Sequence, residues 1–428
     1  MNLLKLSWRN ITYKPLNMAL SLILFALGIG LITFLLLVND QLKENFDKNL
    51  AEIDLVIGAK GSPLQMILCN MYHIDNPTGN ISVKDARPFL SPRNPLIKSA
   101  VPLSLGDSHK GFRIVGTNHK FLELYKAEIS EGELFENDYD VNIGVTVAKD
   151  LGLSIGSKFE STHGFMDDED MGHDHGQAFV VKGIFAQSGT VVDHLIVTNT
   201  PSIWHVHHSE NDGSKNDDVT SQDNHSGHDH SHHDHSVSNF NLLDHPEEEI
   251  TSILVQFKNN KNFQALSLPR NINKNTPLQA ATPAIEMNRL YDLIGVGVDT
   301  IRQLALLIAL VSGISIFISL YNALRDRKYE LALMRVNGAS PFKLFALILL
   351  EGLILAVIGS LIGMAIGHFA LGLFGDMASE RYNYSFTVFK FLKAEIWLFV
   401  ASLVIGTIAA LVPAVIAYKT EIHKTLSS

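Results

Sequence analysis

Histidines and carboxylates are the residues whose spacing in this chain could do chemistry. Asp167-Asp-Glu-Asp-Met-Gly-His173-Asp-His175 comes first, and Trp204-His205-Val-His207-His208 follows. His225, His228, His230, His232, His233 and His235 then alternate with Asp, Ser and Gly. Imidazole and carboxylate together suit Zn²⁺, and also Cu²⁺ or Ni²⁺. The lone Cys69 argues against a closed cysteine-type zinc site and cannot form an internal disulfide. Few apolar residues occur after His205, so composition reads residues 203–245 as a disordered insertion. Such a tract captures metal without pre-forming a geometry, and Zn²⁺ is its candidate ligand, while nothing else in the chain requires a cofactor. The plain alternative is a solvated, passive loop. His163 and His194 read as surface or core histidines, and His73, His109, His119, His368 and His423 carry no functional weight.

A second constellation is basic. Arg325, Arg327, Lys328, Arg335 and Lys343 outnumber Asp326 and Glu330 in a short connector between two apolar runs. An excess of Lys and Arg in a short loop marks the cytoplasmic side of a membrane. The spacing predicts one helix over Asp326–Val336, stopped at Asn337-Gly338 because glycine tolerates the left-handed backbone of a helix end. Ser340-Pro341 starts the next helix, where proline costs no hydrogen bond. A soluble partner could push on such an element.

The elements that hold this connector are the apolar runs themselves. Leu16–Val38, about 23 residues, is long enough to cross a hydrocarbon core, as are Leu304–Leu324, Leu344–Ala370 and Ile396–Ala417. Lys5, Arg9 and Lys14 precede the first run and no Ala-x-Ala-like cleavage site follows it, so it reads as a retained anchor with a cytoplasmic N-terminus. Lys419 and Lys424 place the C-terminus on the same side. The expected organisation is residues 1–40 as N-terminus and first span, 41–298 as an exported domain, and 299–428 with three further spans.

Leu42, Phe46, Leu50, Ile53 and Val56 recur at helical spacing, which predicts that the first span continues as a stalk over Gln41–Ile57. Ala284–Gln303 mirrors it on the return. Between them, short β-branched or aromatic runs at residues 111–117, 141–148, 179–185 and 195–198 predict strands. The fold class expected is an integral membrane α-helical protein with four transmembrane helices and a mixed α/β extracytoplasmic domain.

Glu330, Ala332, Met334 and Arg335, then Gly338-Ala339-Ser340, Glu351-Gly352 and glycines at 359, 363 and 367, resemble the core of FtsX-like permeases of ABC systems. Leu411-Val412-Pro413-Ala414 is similar to that family's closing segment. The order Gly111-Phe-Arg-Ile-Val-Gly-Thr, Ile129-Ser-Glu-Gly-Glu-Leu-Phe and Val141-Asn-Ile-Gly-Val resembles the MacB-type exported domain. The resemblance implies a non-catalytic permease of the bacterial inner membrane, homodimeric or paired with a similar permease, in contact with membrane lipid. It implies coupling to a cytoplasmic ABC ATPase through Arg325, Arg327, Glu330, Arg335, Gly338 and Pro341, and action on an envelope substrate or extracytoplasmic partner.

Other classes receive little support. A net charge of −10 disfavours nucleic acid as a partner. No G-x-x-x-x-G-K-[ST] loop occurs, so the chain is not an ATPase by that route. Glu351 is the conspicuous ionisable residue inside a span, and no chain of carboxylates traces an ion pathway across the membrane. Two further readings stay open: a zinc uptake or efflux permease using the histidine tract as scavenger or sensor, and a membrane-anchored sensor without transport.

Overall fold

The computed structural model describes residues 3–11, 15–163, 178–213, 240–382 and 386–419. The chain starts with α1 (Leu3–Ile11) and the long α2 (Pro15–Asn49). Ala51 and Glu52 then take positive φ of 46° and 57°, which ends the helix and turns the chain into β1 (Leu55–Ala59). The expected helix to Ile57 therefore stops at Asn49. Leu55, Val56 and Ile57 are fully buried strand residues, and their apolar run suits a strand covered on both faces.

The chain continues through α3 (Pro63–Tyr72), β2 (Ile81–Ser82), α4 (Val83–Leu90), β3 (Ile97–His109), β4 (Phe112–Thr117), α5 (His119–Tyr125), β5 (Ile129–Gly132) and β6 (Asp140–Ile143). A Cβ on Gly144 would sit 2.2 Å from the Asp193 carbonyl oxygen, so only glycine fits where the chain leaves β6. Residues expected to prolong that strand instead form α6 (Val145–Leu151). Then come β7 (Lys158–Phe159), β8 (Thr162–His163), β9 (Phe179–Phe185), β10 (Ile196–Asn199), α7 (Thr200–Gly213), β11 (Glu249–Ile250), β12 (Ser252–Phe257), α8 (Phe263–Asn275) and β13 (Leu278–Ala281). Four helices close the chain: α9 (Pro283–Asp326), α10 (Lys328–Val336), α11 (Pro341–Tyr382) and α12 (Lys393–Tyr418).

Two compact units result, one of residues 44–292 and one of residues 1–43 with 293–428. In the first, eleven of the described strands form a mixed sheet in the order β13-β1-β12-β3-β4-β10-β6-β9-β5, with β7 on β9 and β8 on β3, and β2 pairs with β11 in a separate two-stranded sheet. One apolar cluster joins Leu55, Ile57, Ile253 and Val255 to Phe89 and Trp204. A second gathers Ile114, Val141, Val181, Ile196 and Ile203. Ile203, Trp204 and Val206 are thus core residues on α7. The insertion expected to begin at 203 does not begin there, because α7 buries three apolar side chains against the sheet. At the other end, Phe240 lies edge-on to Trp204 and His245 stacks on Phe240.

Ala19–Asn49, Pro283–Asp326, Pro341–Gly375 and Lys393–Tyr418 are long and apolar enough to cross a membrane. The fold is that of a membrane protein with four spans and a mixed α/β extracytoplasmic domain. α2 and α11 meet through small residues. A Cβ on Gly363 would lie 2.6 Å from the Ala26 carbonyl oxygen, and one on Gly367 would lie 2.8 Å from that of Gly30. Close backbone approach of this kind drives helix association where lipid removes the hydrophobic incentive. Ser312 adds a hydrogen bond from its Oγ to the Leu24 carbonyl, 3.1 Å away.

Candidate functional site

The connector between α9 and α10 breaks at Arg327. This residue has φ −105° and ψ 16°, outside helical geometry, so the one helix expected over Asp326–Val336 is two elements meeting at Arg327. The break turns the Arg327 side chain inward, leaving it 11% exposed. Its Nη2 donates to the Asn10 carbonyl oxygen at 2.5 Å, and its Nη1 lies 3.8 Å from Oε1 of Glu351. Asn10 Nδ2 donates to that same Oε1 at 2.7 Å. One carboxylate on α11, 1% exposed, thereby ties the connector and α1 together. A buried charge is tolerated only when paired and hydrogen-bonded, and the triad meets that condition.

Apolar packing repeats the pattern. Leu331 on α10 joins Leu324, Leu344, Leu347, Ile348, Ala414 and Ala417, with Leu3 and Leu6 of α1 against them. α10 ends as expected: Gly338 has φ +89°, and its N–H bonds to the Arg335 carbonyl oxygen. Pro341 is the first residue of α11. The opposite face of α10 is open. Tyr329, Leu333 and Val336 are 63%, 47% and 54% exposed at spacings of four and three, one stripe on a helix. Phe342 just beyond is also exposed.

The residues expected to couple to a partner therefore divide. Arg325, Glu330 and Gly338 are exposed, Arg335 and Pro341 are half-buried, and Arg327 faces the interior. Sequence reasoning dwelt on charge and missed the apolar stripe and Asn10. The i, i+4, i+7 spacing of Tyr329, Leu333 and Val336 was a usable signal, but spacing alone does not separate an outward stripe from a core one.

Of the candidate metal ligands, His205 is engaged in the fold. Its Nδ1 lies 3.5 Å from Oδ2 of Asp138, whose other oxygen accepts from Asn199 Nδ2 at 2.8 Å. His207 and His208 lie further along α7. His173, His175, His225, His228, His230, His232, His233 and His235 lie outside the described residues. Among the described residues, no three His, Cys, Asp or Glu side chains converge as ligands. Burial lowers the pKa of His194, against the pull of Asp193 and Asp150.

The profile of the MacB-like periplasmic core domain matches residues 18–267, more than half of the chain. That of the FtsX-like permease C-terminal domain matches residues 303–422. The chain belongs to the FtsX/MacB family of ABC transporter permeases. The permease also aligns with the periplasmic region of MacB from Actinobacillus actinomycetemcomitans, at 11% identity over 56% of this chain and 95% of that one, with a TM-score of 0.32. The extracellular domain of the noncanonic ABC-type transporter YknZ from Gram-positive bacteria aligns at 12% identity over 54% of this chain and 99% of the other, with a TM-score of 0.28. No curated protein matches the permease by sequence. The assignment rests on the family profiles, and they cover both the exported unit and the connector with its flanking spans.

Proposed function

We propose that this permease is the transmembrane subunit of a mechanotransmission-type ABC system. A separate cytoplasmic ATPase docks on the connector. α2 and α9 pass its cycle to the extracytoplasmic domain, which acts on an envelope substrate or partner. The permease works as a homodimer or beside a similar permease in the bacterial inner membrane, with both termini cytoplasmic. ATP hydrolysis resides on the partner chain.

The observation that carries this reading is the two-faced connector. Its inner face is bonded through Arg327 to Glu351 and Asn10, and its outer face leaves Tyr329, Leu333 and Val336 uncovered. A docked protein that moved α10 would move α1 and α11 with it. The test is co-purification with the ATPase and its turnover with wild-type permease against Y329S/L333S. Loss of capture with an unchanged melting temperature supports docking on this face. Full capture and turnover by the variant would refute it, and so would a permease that recruits no ATPase, as the sensor reading expects.

Zinc handling is a second reading, favoured by the density of histidine between 205 and 235. There the tract would act as scavenger or sensor for the same coupled machine.

A further inference from the structure

The extracytoplasmic unit holds a cavity of about 570 Å³, within the size range of small-molecule sites. It opens between β3, α7 and the segment leading into β11. Glu247, Glu248 and Glu249 line one side, Trp204 another, and Ser104 and Gly106 the floor, with no Lys or Arg in the wall among the described residues. Trp204 fixes the acidic side in place by donating from its indole nitrogen to the Glu249 carbonyl oxygen, 2.7 Å away.

Two observations on β3 single this cavity out from an acidic surface. The first is Ser104. It is 4% exposed, and its Oγ has no hydrogen-bond partner among the described residues. Ser104 is paired across the ladder with Gly116, and a Cβ on Gly116 would meet both Ser104 Cβ at 3.3 Å and Ile203 Cγ1 at 2.5 Å. The hydroxyl therefore stands on the face that α7 covers, where Trp204 walls the cavity. Buried hydroxyls without partners are rare in folded proteins, because the lost hydration is uncompensated. The second is a register break in the β3–β4 ladder between Leu105 and Ser108, which leaves Gly106 at the cavity floor without a β4 partner. Irregularities of this kind are over-represented beside binding sites.

We propose that this cavity binds a small organic cation carrying a primary ammonium group, with Glu247 and Glu249 neutralising the charge, Trp204 covering the alkyl portion and Ser104 accepting a hydrogen bond. A bare metal ion fits less well: the space is far larger than an ion, and no three ligands converge there among the described residues. An ammonium group offers three donors, which suits a wall of carboxylates, carbonyls and a hydroxyl. The inference stands apart from ATPase docking, since it concerns the permease alone.

The test is isothermal titration of the full-length permease in detergent, without ATPase or nucleotide, using spermidine and trilysine as probes in the presence of EDTA. Saturable binding of spermidine alone identifies a free amine as the ligand type, and binding of both extends it to a lysine side chain. E247Q/E249Q should weaken binding about tenfold or more, equivalent to about 1.4 kcal/mol, and S104A should weaken it less. E247K, at an exposed position, serves if the double variant misfolds. Absence of saturable binding by either probe, or equal affinity in wild type and the glutamate variants, would overturn the proposal.

Discussion

Arg327 in the connector and Glu351 on α11 face each other at 3.8 Å, and Asn10 bonds to both. The contact joins the N-terminal helix, the connector and the third span at a single carboxylate. A residue that a charge count assigns to an outer docking face is in fact the inner bolt of the connector.

Removing Arg327 or Glu351 takes away one partner of a buried pair and weakens the pairing of the charge that remains. Arg327→Ala and Glu351→Ala should each destabilise the permease by about 3 kcal/mol, the size seen when one partner of a buried pair is deleted. Thermal unfolding of the purified protein checks this. Arg327→Lys should rescue only partly, because one ammonium cannot match the guanidinium's reach to both Asn10 and Glu351.

Substitutions on the outer face should behave in the opposite way. Glu330→Ala and Arg335→Ala are expected to reduce coupling between ATP hydrolysis and function, and for the exposed Glu330 the melting temperature should stay within about 1 °C, as surface changes usually do. Parallel assays of turnover and unfolding separate the two faces of α10. If either charge change lowers stability as much as loss of Arg327, the division drawn here fails.

Gly363 should tolerate no side chain. Its missing Cβ would fall 2.6 Å from the Ala26 carbonyl oxygen and 2.8 Å from Ile29 Cβ. Gly363→Val forces α2 and α11 apart, at a cost of about 1–3 kcal/mol from overpacking, and should lower the melting temperature measurably. Gly297, with nothing within 4 Å of its Cβ position, is the control: Gly297→Ala should leave stability unchanged or slightly raised.

Acid should destabilise the extracytoplasmic unit through His73. Its ring is 6% exposed and neither nitrogen has a hydrogen-bond partner among the described residues. Burial first, and the Arg113 charge second, push its pKa down to about 3. The unfolded chain binds that proton near pH 6.5. Between about pH 3 and 6.5 the unfolded state thus holds more protons, so the stability present above 6.5 falls as pH drops through the window. Urea unfolding at pH 7, 6 and 5 should show this slope in the wild type and a shallower one in His73→Phe. Coincident slopes would show that another group is responsible.

Zinc binding by the permease should depend on residues 214–239 and not on the root of α7. Deleting 214–239 is expected to abolish most zinc binding and leave the fold intact. A deletion starting at 203 removes Ile203, Trp204 and Val206 from two apolar clusters and should unfold the unit. Zinc titration and circular dichroism of both variants distinguish these outcomes. If ATPase turnover ignores zinc in the wild type, the zinc reading is withdrawn.

Much of this architecture was legible in the sequence because its signals are long or punctuated. Apolar runs beyond 20 residues have few alternatives to spanning a bilayer. Asn337-Gly338 and Pro341 each impose a backbone geometry that the structure shows at φ +89° and at the first residue of α11. What was not legible depended on partners far away in sequence. Apolar spacing over residues 42–56 fits a helix throughout, and only sheet pairing on both sides of β1 makes a strand from Leu55. Composition hid the root of α7, since Trp204 sits beside a run of histidines yet packs with Phe240 and the sheet. Arg327's direction followed from a break in the helix that no local residue announces.

The bond between Asn10 and Glu351 spans 341 positions. During synthesis, α1 is therefore made long before the carboxylate it bonds to. Until the exported domain, α9 and the connector have been built, its polar face has no carboxylate to meet, and loop closure over that distance cannot be hastened by local contacts. A chain arrested before α11 lacks Glu351, the carboxylate that accepts from the Asn10 amide. The triad thus doubles as a checkpoint, formed only once α11 has joined α1 and the connector.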